Sequence, residues 1–283
     1  MRQPAELAAA DAYCRRLLAG HYENFWVSSP LVPADRRPHL ARLYAFCRIT
    51  DDLGDESGGS AEARLRLWQE DLERCFDTCT PPLNPVLLAL AETIAGFALP
   101  AQPFRDLVMA NLQDQRVKQY ERWEQLLAYC RLSAAPVGRL VLRLFDLAEP
   151  RLDALSDDVC IGLQLANHAQ DVAVDRMKGR SYLLRPEVEA LGVEGALRSL
   201  CERAAELLRS GRELESEVPR RLGLQLALYR LGGEAILERV RRAGYRTDLR
   251  RPTLSNSVKL ALLPRAWLQS TRRSRPGARY REA

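Results

Sequence analysis

Two sets of carboxylates in this chain are spaced so that helical geometry would bring them together. Asp51 and Asp55 stand one turn apart behind Leu40, Tyr44 and Cys47, whose spacings of four and three mark a single helix face. Gln164, Asn167, Asp171 and Asp175 recur at three, four and four in a segment that Ile161, Leu163, Leu165, Ala166, Val172 and Val174 make otherwise apolar. Both stripes are expected to point inward. Like charges at i and i+4 repel, and a buried carboxylate without a partner is strongly disfavoured, so something cationic should meet them. Two blander readings stand beside this one. The first helix could fray at Gly54 and leave a solvated acidic end, although acids at a helix C-terminus oppose its dipole. The second stripe could be a buried salt-bridge network.

Paired aspartates suit Mg²⁺, a hard cation that commonly completes its coordination with the phosphates of a substrate. Cations also lie near both stripes: Arg48 one turn before Asp51, and the basic turn Arg176, Lys178, Arg180 that leads to Tyr182. Three histidines, His21, His39 and His168, fall in no metal-binding pattern, which removes the usual ligands of zinc and iron. The seven cysteines are odd in number and scattered, as expected of reduced thiols. There is no Walker lysine loop and no Gly-rich dinucleotide fingerprint, so neither ATP hydrolysis nor a nicotinamide cofactor has a visible site.

The elements that must hold these residues read as all-α. Apolar residues recur at three and four nearly throughout, and no long alternating run suggests a strand. Breaks at residues 20–33, 54–60, 80–85, 100–103, 149–155, 179–192 and 246–255 leave about eight helices. No Gly/Ser linker divides them, which predicts one helical domain over residues 1–270. One helix, from Leu126 to Leu147, should kink at Pro136, where Ser133, Ala134, Ala135 and Gly138 would admit either a bulky ligand or a close-packed helix. Five arginines crowd residues 271–283, a basic tail that would add about 1 kcal/mol of attraction per residue near an anionic bilayer. No apolar run approaches the roughly 18 residues of a membrane span. A cytoplasmic protein, with peripheral contact at the inner membrane face through the tail, is the expectation. The net charge of +5 is too small to select nucleic acid, and no such partner is expected.

At this point the chain resembles a known family. Asp51-Asp52-Leu-Gly-Asp55-Glu56 and Asn167-His-Ala-Gln-Asp171-Val-Ala-Val-Asp175 look like the paired aspartate signatures of squalene/phytoene synthases. Tyr44 to Arg48, Asp114, Tyr129-Cys130, Val137-Gly138 and Gly179-Arg180-Ser-Tyr182 follow in the family's order. The resemblance implies an isoprenoid-synthase helical bundle around a central cavity. It also implies Mg²⁺ on Asp51, Asp55, Asn167, Asp171 and Asp175, and a diphosphate leaving group anchored by Arg48, Lys178, Arg180 and Tyr182. Asp114, Gln164 and Gly138 would border the substrate, and Tyr129 would stabilise a cation.

Glu23-Asn24-Phe25 and Ser133 to Leu142 are most similar to the branch of the hopanoid pathway that makes hydroxysqualene. The implied substrate is then presqualene diphosphate, captured by water without a reductant, with Glu23, Asn24 or Gln164 placing the water. Neighbouring enzymes of that pathway would be its partners. Condensation of two prenyl diphosphates such as farnesyl diphosphate, to presqualene diphosphate, squalene or phytoene, is the alternative within the family. A helical scaffold without chemistry is the alternative outside it, against which the intact carboxylate stripes argue. Trp26, His168-Ala169 and Gln170 depart from the family pattern, where a small residue, bulkier aromatics and, in carotenoid enzymes, an arginine stand.

Overall fold

The computed structural model describes residues 4–19, 31–55, 60–77, 79–249 and 251–271. Glu23, Asn24, Phe25, Trp26, Glu56 and the basic tail lie outside them. Among the described residues the chain is all-α, and extended pairing is limited to one parallel bridge between Tyr120 and Leu184. It forms two compact units, Met1–Arg116 with Arg139–Leu147, and Val117–Gly138 with Ala148–Ala283.

The first unit holds α1 (Pro4–Ala19), α2 (Arg37–Asp55), α3 (Ala61–Glu73), α4 (Pro85–Phe97) and α5 (Gln102–Arg116). Its core is organised by α2, which packs against the other four. Phe46 is fully buried between Trp68, with ring centroids 5.8 Å apart, and Phe104, at 5.3 Å edge to face. The polar atoms this core cannot avoid are satisfied locally. Trp68 Nε1 donates to Thr50 Oγ1 at 2.9 Å, which itself donates to the carbonyl of Phe46, and buried Arg42 forks onto Asp11 at 2.7 and 2.9 Å. α4 starts where its sequence says it must: Asn84 accepts from the Val86 amide and Pro85 opens the first turn.

The second unit is built on α8 (Pro150–Gln170), against which α6 (Trp123–Ser133), α10 (Arg185–Ser210) and α12 (Arg220–Arg242) pack. Also present are α9 (Val172–Met177), α11 (Leu214–Glu217) and α13 (Asn256–Thr271). Glycines let the helices cross α8 closely: a Cβ on Gly162 would sit 2.8 Å from Leu208 Cγ, and one on Gly233 2.7 Å from Leu163 Cδ2.

Three expectations change. The break expected over residues 149–155 is the start of α8, because Pro150 in the first turn initiates a helix and does not end one. The kinked helix of residues 126–147 is two helices, α6 and α7 (Ala135–Leu144). Ala134 between them leaves helical geometry at φ −123°, ψ −49°, and Pro136 falls in the first turn of α7, where its missing amide is harmless. Between residues 179 and 192 the chain is not all loop, since α10 begins at Arg185 and bends at Gly192, whose φ of 70° only glycine adopts freely.

Of the two uses foreseen for the small residues near Pro136, the structure places helix packing at Gly138. Its Cα faces α8, and a Cβ there would overlap Ser156 Oγ and lie 2.6 Å from Cys160 Sγ. Gly138→Val is therefore expected to destabilise the folded chain by about 1–3 kcal/mol, read as a lowered midpoint in thermal or urea denaturation.

Candidate active site: two aspartate pairs

Asp51 and Asp55 close α2, which stays helical to Asp55, so the helix does not fray at Gly54. Both carboxylates are reached by solvent, a correction to the inward stripe expected from spacing. Neighbouring α5 explains the local structure. Asn111 Nδ2 donates to Asp51 Oδ1 at 3.1 Å, and Gln115 Nε2 donates to the carbonyl of Gly54 at 2.9 Å. Gly54 is needed there because a side chain would overlap Asn111. Protein surrounds Asp51 closely enough, despite its accessible edge, to disfavour the charged form and push its pKa up to about 6; Asn111 opposes the shift and Asp55 adds to it.

Arg48 does not turn to Asp51. It forks onto Asp52 at 2.7 and 3.1 Å, which leaves it a neighbour of the pair rather than its partner. Asp114 is buried on α5. Asn111 and Gln115 escaped the sequence reading although, with Asp114, they lie at the three- and four-residue spacing used for the second stripe.

That second stripe is interrupted. α8 ends at Gln170, Asp171 takes φ −103° and ψ 18°, and α9 follows. The register nevertheless carries across the joint, because the Asp171 amide bonds the Asn167 carbonyl at 2.9 Å and the Asp175 amide bonds the Asp171 carbonyl at 2.8 Å. Asp171 and Asp175 are partly covered, with side chains 25% and 14% exposed, whereas Asn167 is exposed. A helix end at Asp171 turns the stripe toward solvent, so it is not the fully buried row that spacing implies.

Past α9, Gly179 at φ 68° reverses the chain, and the Arg180 amide bonds back to the carbonyl of Asp175 at 2.9 Å. The returning strand is held by Lys118, whose carbonyl accepts from Ser181, and by Tyr120, whose carbonyl accepts from Arg185. This delivers Tyr182 onto His168: their rings stack with centroids 3.6 Å apart. Tyr129 joins them, its hydroxyl 3.4 Å from that of Tyr182, and Tyr120 packs behind at 5.7 Å from the Tyr129 ring. His168, Asp175, Arg176, Arg180, Ser181 and Tyr182 line a small polar cleft. Lys178 projects from the turn, exposed.

His168, foreseen only as a departure from the family pattern and in no metal-binding pattern, is central to this cleft. Gln164 Nε2 lies 3.3 Å from its Nε2, and Asp175 Oδ2 lies 4.0 Å from its Nδ1. Burial, helped by Arg180, pushes its pKa down to about 3, so the imidazole is neutral at physiological pH. Arg251, like Asn111 and Gln115, was not foreseen; it grips both oxygens of Asp171. Gln170, foreseen only as a departure from the family, is buried and donates to the Pro252 carbonyl at 2.6 Å.

The donor set fits a hard divalent cation. Each unit by itself offers two aspartates one turn apart with a side-chain amide near them, Asn111 in the first and Asn167 in the second. Among the described residues no three acids, histidines or cysteines gather at one point. Mg²⁺ would thus depend on water or phosphate oxygens for the rest of its coordination, as it ordinarily does.

A family model described as squalene/phytoene synthase matches residues 18–258, and the chain belongs to this family of synthases. The solved squalene synthase HpnC of Alicyclobacillus acidocaldarius is 46% identical with a TM-score of 0.79, over 86% of this chain and 97% of that one. A hydroxysqualene synthase of Zymomonas mobilis is 31% identical over 77% of this chain and 79% of its own length. A phytoene synthase of Arthrospira platensis is 31% identical over 65% of this chain, and the match spans 63% of that protein's length.

Asp51 gives a pH signature that its Asn variant isolates. Its folded pKa of about 6 lies above the ordinary 3.8, so the folded chain takes up a proton before the unfolded chain does. The charge costs stability above pH 6, and that cost fades as pH falls to about 4. Asp51→Asn, which keeps an oxygen for Asn111, should raise the melting temperature of the ligand-free protein at pH 7.5 and leave it unchanged near pH 4.

Proposed function

We propose that the chain converts presqualene diphosphate to hydroxysqualene, with Mg²⁺ and without a reductant. The observation that carries the reading is the second pair: Asp171 and Asp175 beside a glycine turn that returns Arg180, Ser181 and Tyr182 to the same place. Anion-binding and cation-binding groups then share one cleft, as a metal-bound diphosphate requires. The choice of reaction within the family is supported by the hydroxysqualene synthase match over most of that relative's length, while the 46% identity to a solved squalene synthase supports squalene formation as the second reading.

Asp51 and Asp55 in the first unit, and Asp171 and Asp175 with Asn167 in the second, would hold Mg²⁺, which would supply positive charge to offset that of a diphosphate leaving group. Arg180 and Lys178 bind the leaving group's oxygens, and Arg48 holds Asp52 beside the first pair. The bonding electrons leave with the diphosphate, and the carbocation rearranges beside the faces of Tyr129 and Tyr182, whose rings are negative at the face. Water forms the new carbon–oxygen bond and gives up one proton to the released diphosphate; Gln164, whose Nε2 lies 3.3 Å from His168 Nε2, would orient it.

Incubation with presqualene diphosphate and Mg²⁺, without NADPH, should yield hydroxysqualene and diphosphate. Presqualene diphosphate left intact while farnesyl diphosphate is consumed would move the chain to the condensing branch. Asp51→Asn and Asp171→Asn should each lower diphosphate release about a hundredfold or more; near-normal turnover in a folded variant would remove the metal reading.

We also propose that the protein works at an anionic membrane face, where its lipid substrate resides. Among the described residues no helix is long and apolar enough to cross a membrane. On α13, however, Leu260, Pro264, Trp267 and Leu268 are exposed on one side, Arg265 is exposed beside them, and the five tail arginines follow in sequence. Co-sedimentation with vesicles containing anionic lipid, but not with neutral ones, is expected. The double variant Trp267→Ala, Leu268→Ala should lose most of it, and equal binding to both vesicle types would exclude the surface.

A further inference from the structure

Three consecutive residues at the end of α8 each hold a residue from the segment between α12 and α13. Thr247, fully buried, donates from Oγ1 to the carbonyl of Ala169 at 2.7 Å. Gln170 donates from Nε2 to the carbonyl of Pro252 at 2.6 Å. Asp171 takes the guanidinium of Arg251 on both oxygens, with Nη2 3.1 Å from Oδ2. The segment is a strap fastened on either side of Arg251, which presents that one side chain to Asp171.

Its chemistry conflicts with that of the bare site. A bidentate guanidinium occupies both carboxylate oxygens, so a divalent ion cannot use Asp171 in full while Arg251 remains. The pair is also weak enough to open: the side chains are 42% and 25% exposed, and solvent-screened pairs contribute little to stability. An arginine released there, still tethered by Thr247 and Pro252, stands within reach of any phosphate oxygens the metal brings, and guanidinium fits them in the same forked geometry.

We propose that Arg251 is the resident counter-cation of Asp171, displaced when the divalent ion binds and then engaged with the diphosphate. The ion and the diphosphate would load together, because the ion alone must compete with Arg251, whereas the pair of ligands gives Arg251 a new partner. The inference rests on the metal reading above.

Mn²⁺ serves as the probe, its free concentration followed by electron paramagnetic resonance during titration of the full chain, first alone and then with inorganic pyrophosphate. Arg251→Gln is expected to bind Mn²⁺ about three- to tenfold more tightly than the native chain. In the presence of Mn²⁺ the same variant should hold pyrophosphate about three- to tenfold more weakly. These opposite signs would not arise from a residue that merely stiffens the strap. Arg251→Lys, which keeps the charge and loses the fork, should shift both affinities the same way by smaller factors, and it carries the test should the Gln variant fail to fold. Unchanged or weaker Mn²⁺ binding in folded Arg251 variants overturns the proposal. Asp171→Asn separates the two failures: weakened Mn²⁺ binding there, with native-like Arg251 variants, sinks only the role of Arg251, while native Mn²⁺ affinity in Asp171→Asn sinks the metal reading as well.

Discussion

Carboxylates one helical turn apart repel, and the chain must answer that repulsion before any ligand arrives. It does so differently at each pair. At the first, solvent reaches both carboxylates, Asn111 supplies Asp51 with a hydrogen bond, and the pKa of Asp51, pushed up to about 6, marks the charge there as costly. Arg48, the cation nearest in sequence, is committed to Asp52. At the second, Arg251 neutralises Asp171, and Asp175 lies beside a histidine that burial keeps neutral. The second answer can be reversed, because a half-exposed arginine leaves more readily than a packed side chain.

The surrounding helices serve this arrangement through close approach. Gly162 and Gly233 let α8, α10 and α12 pack tightly, which fixes the end of α8 where Ala169, Gln170 and Asp171 must meet the strap. In the first unit Gly54 does the same work on a smaller scale, bringing α5 close enough for Asn111 to reach Asp51. Breaking the helix at Asp171 has a further effect. Its backbone bonds continue on both sides, so Asp175 keeps its register while α9 and the Gly179 turn swing Arg180 back over it.

Local chemistry was legible in the sequence and long-range chemistry was not. The all-α class, the break before α4 at residues 80–85, and the shared register of Asp171 and Asp175 all follow from spacings within a few residues. Proline misled once: Pro150 was placed within a break, whereas it sits in a first turn, where proline favours a helix, while the kink expected at Pro136 is a full break two residues earlier, at Ala134. The partners that decide the electrostatics lie far away in sequence. Arg251 is 80 residues from Asp171 and Asn111 is 60 from Asp51, and no periodicity encodes such pairings. His168 was given no role for a different reason: it belongs to no ligand motif, and only the fold shows that its ring is part of an aromatic stack.

That stack explains why a histidine can stand there at all. In the proposed reaction a carbocation passes beside Tyr129 and Tyr182, and an imidazolium in van der Waals contact with Tyr182 would repel it. Burial and the charge of Arg180 both disfavour protonation of His168, so the ring stays a neutral surface that continues the tyrosine faces. In that proposed reaction Arg180 would act on both partners of the broken bond: its charge would favour the departing diphosphate directly, and by suppressing a second positive charge at His168 it would keep the aromatic side of the cleft compatible with the cation left behind.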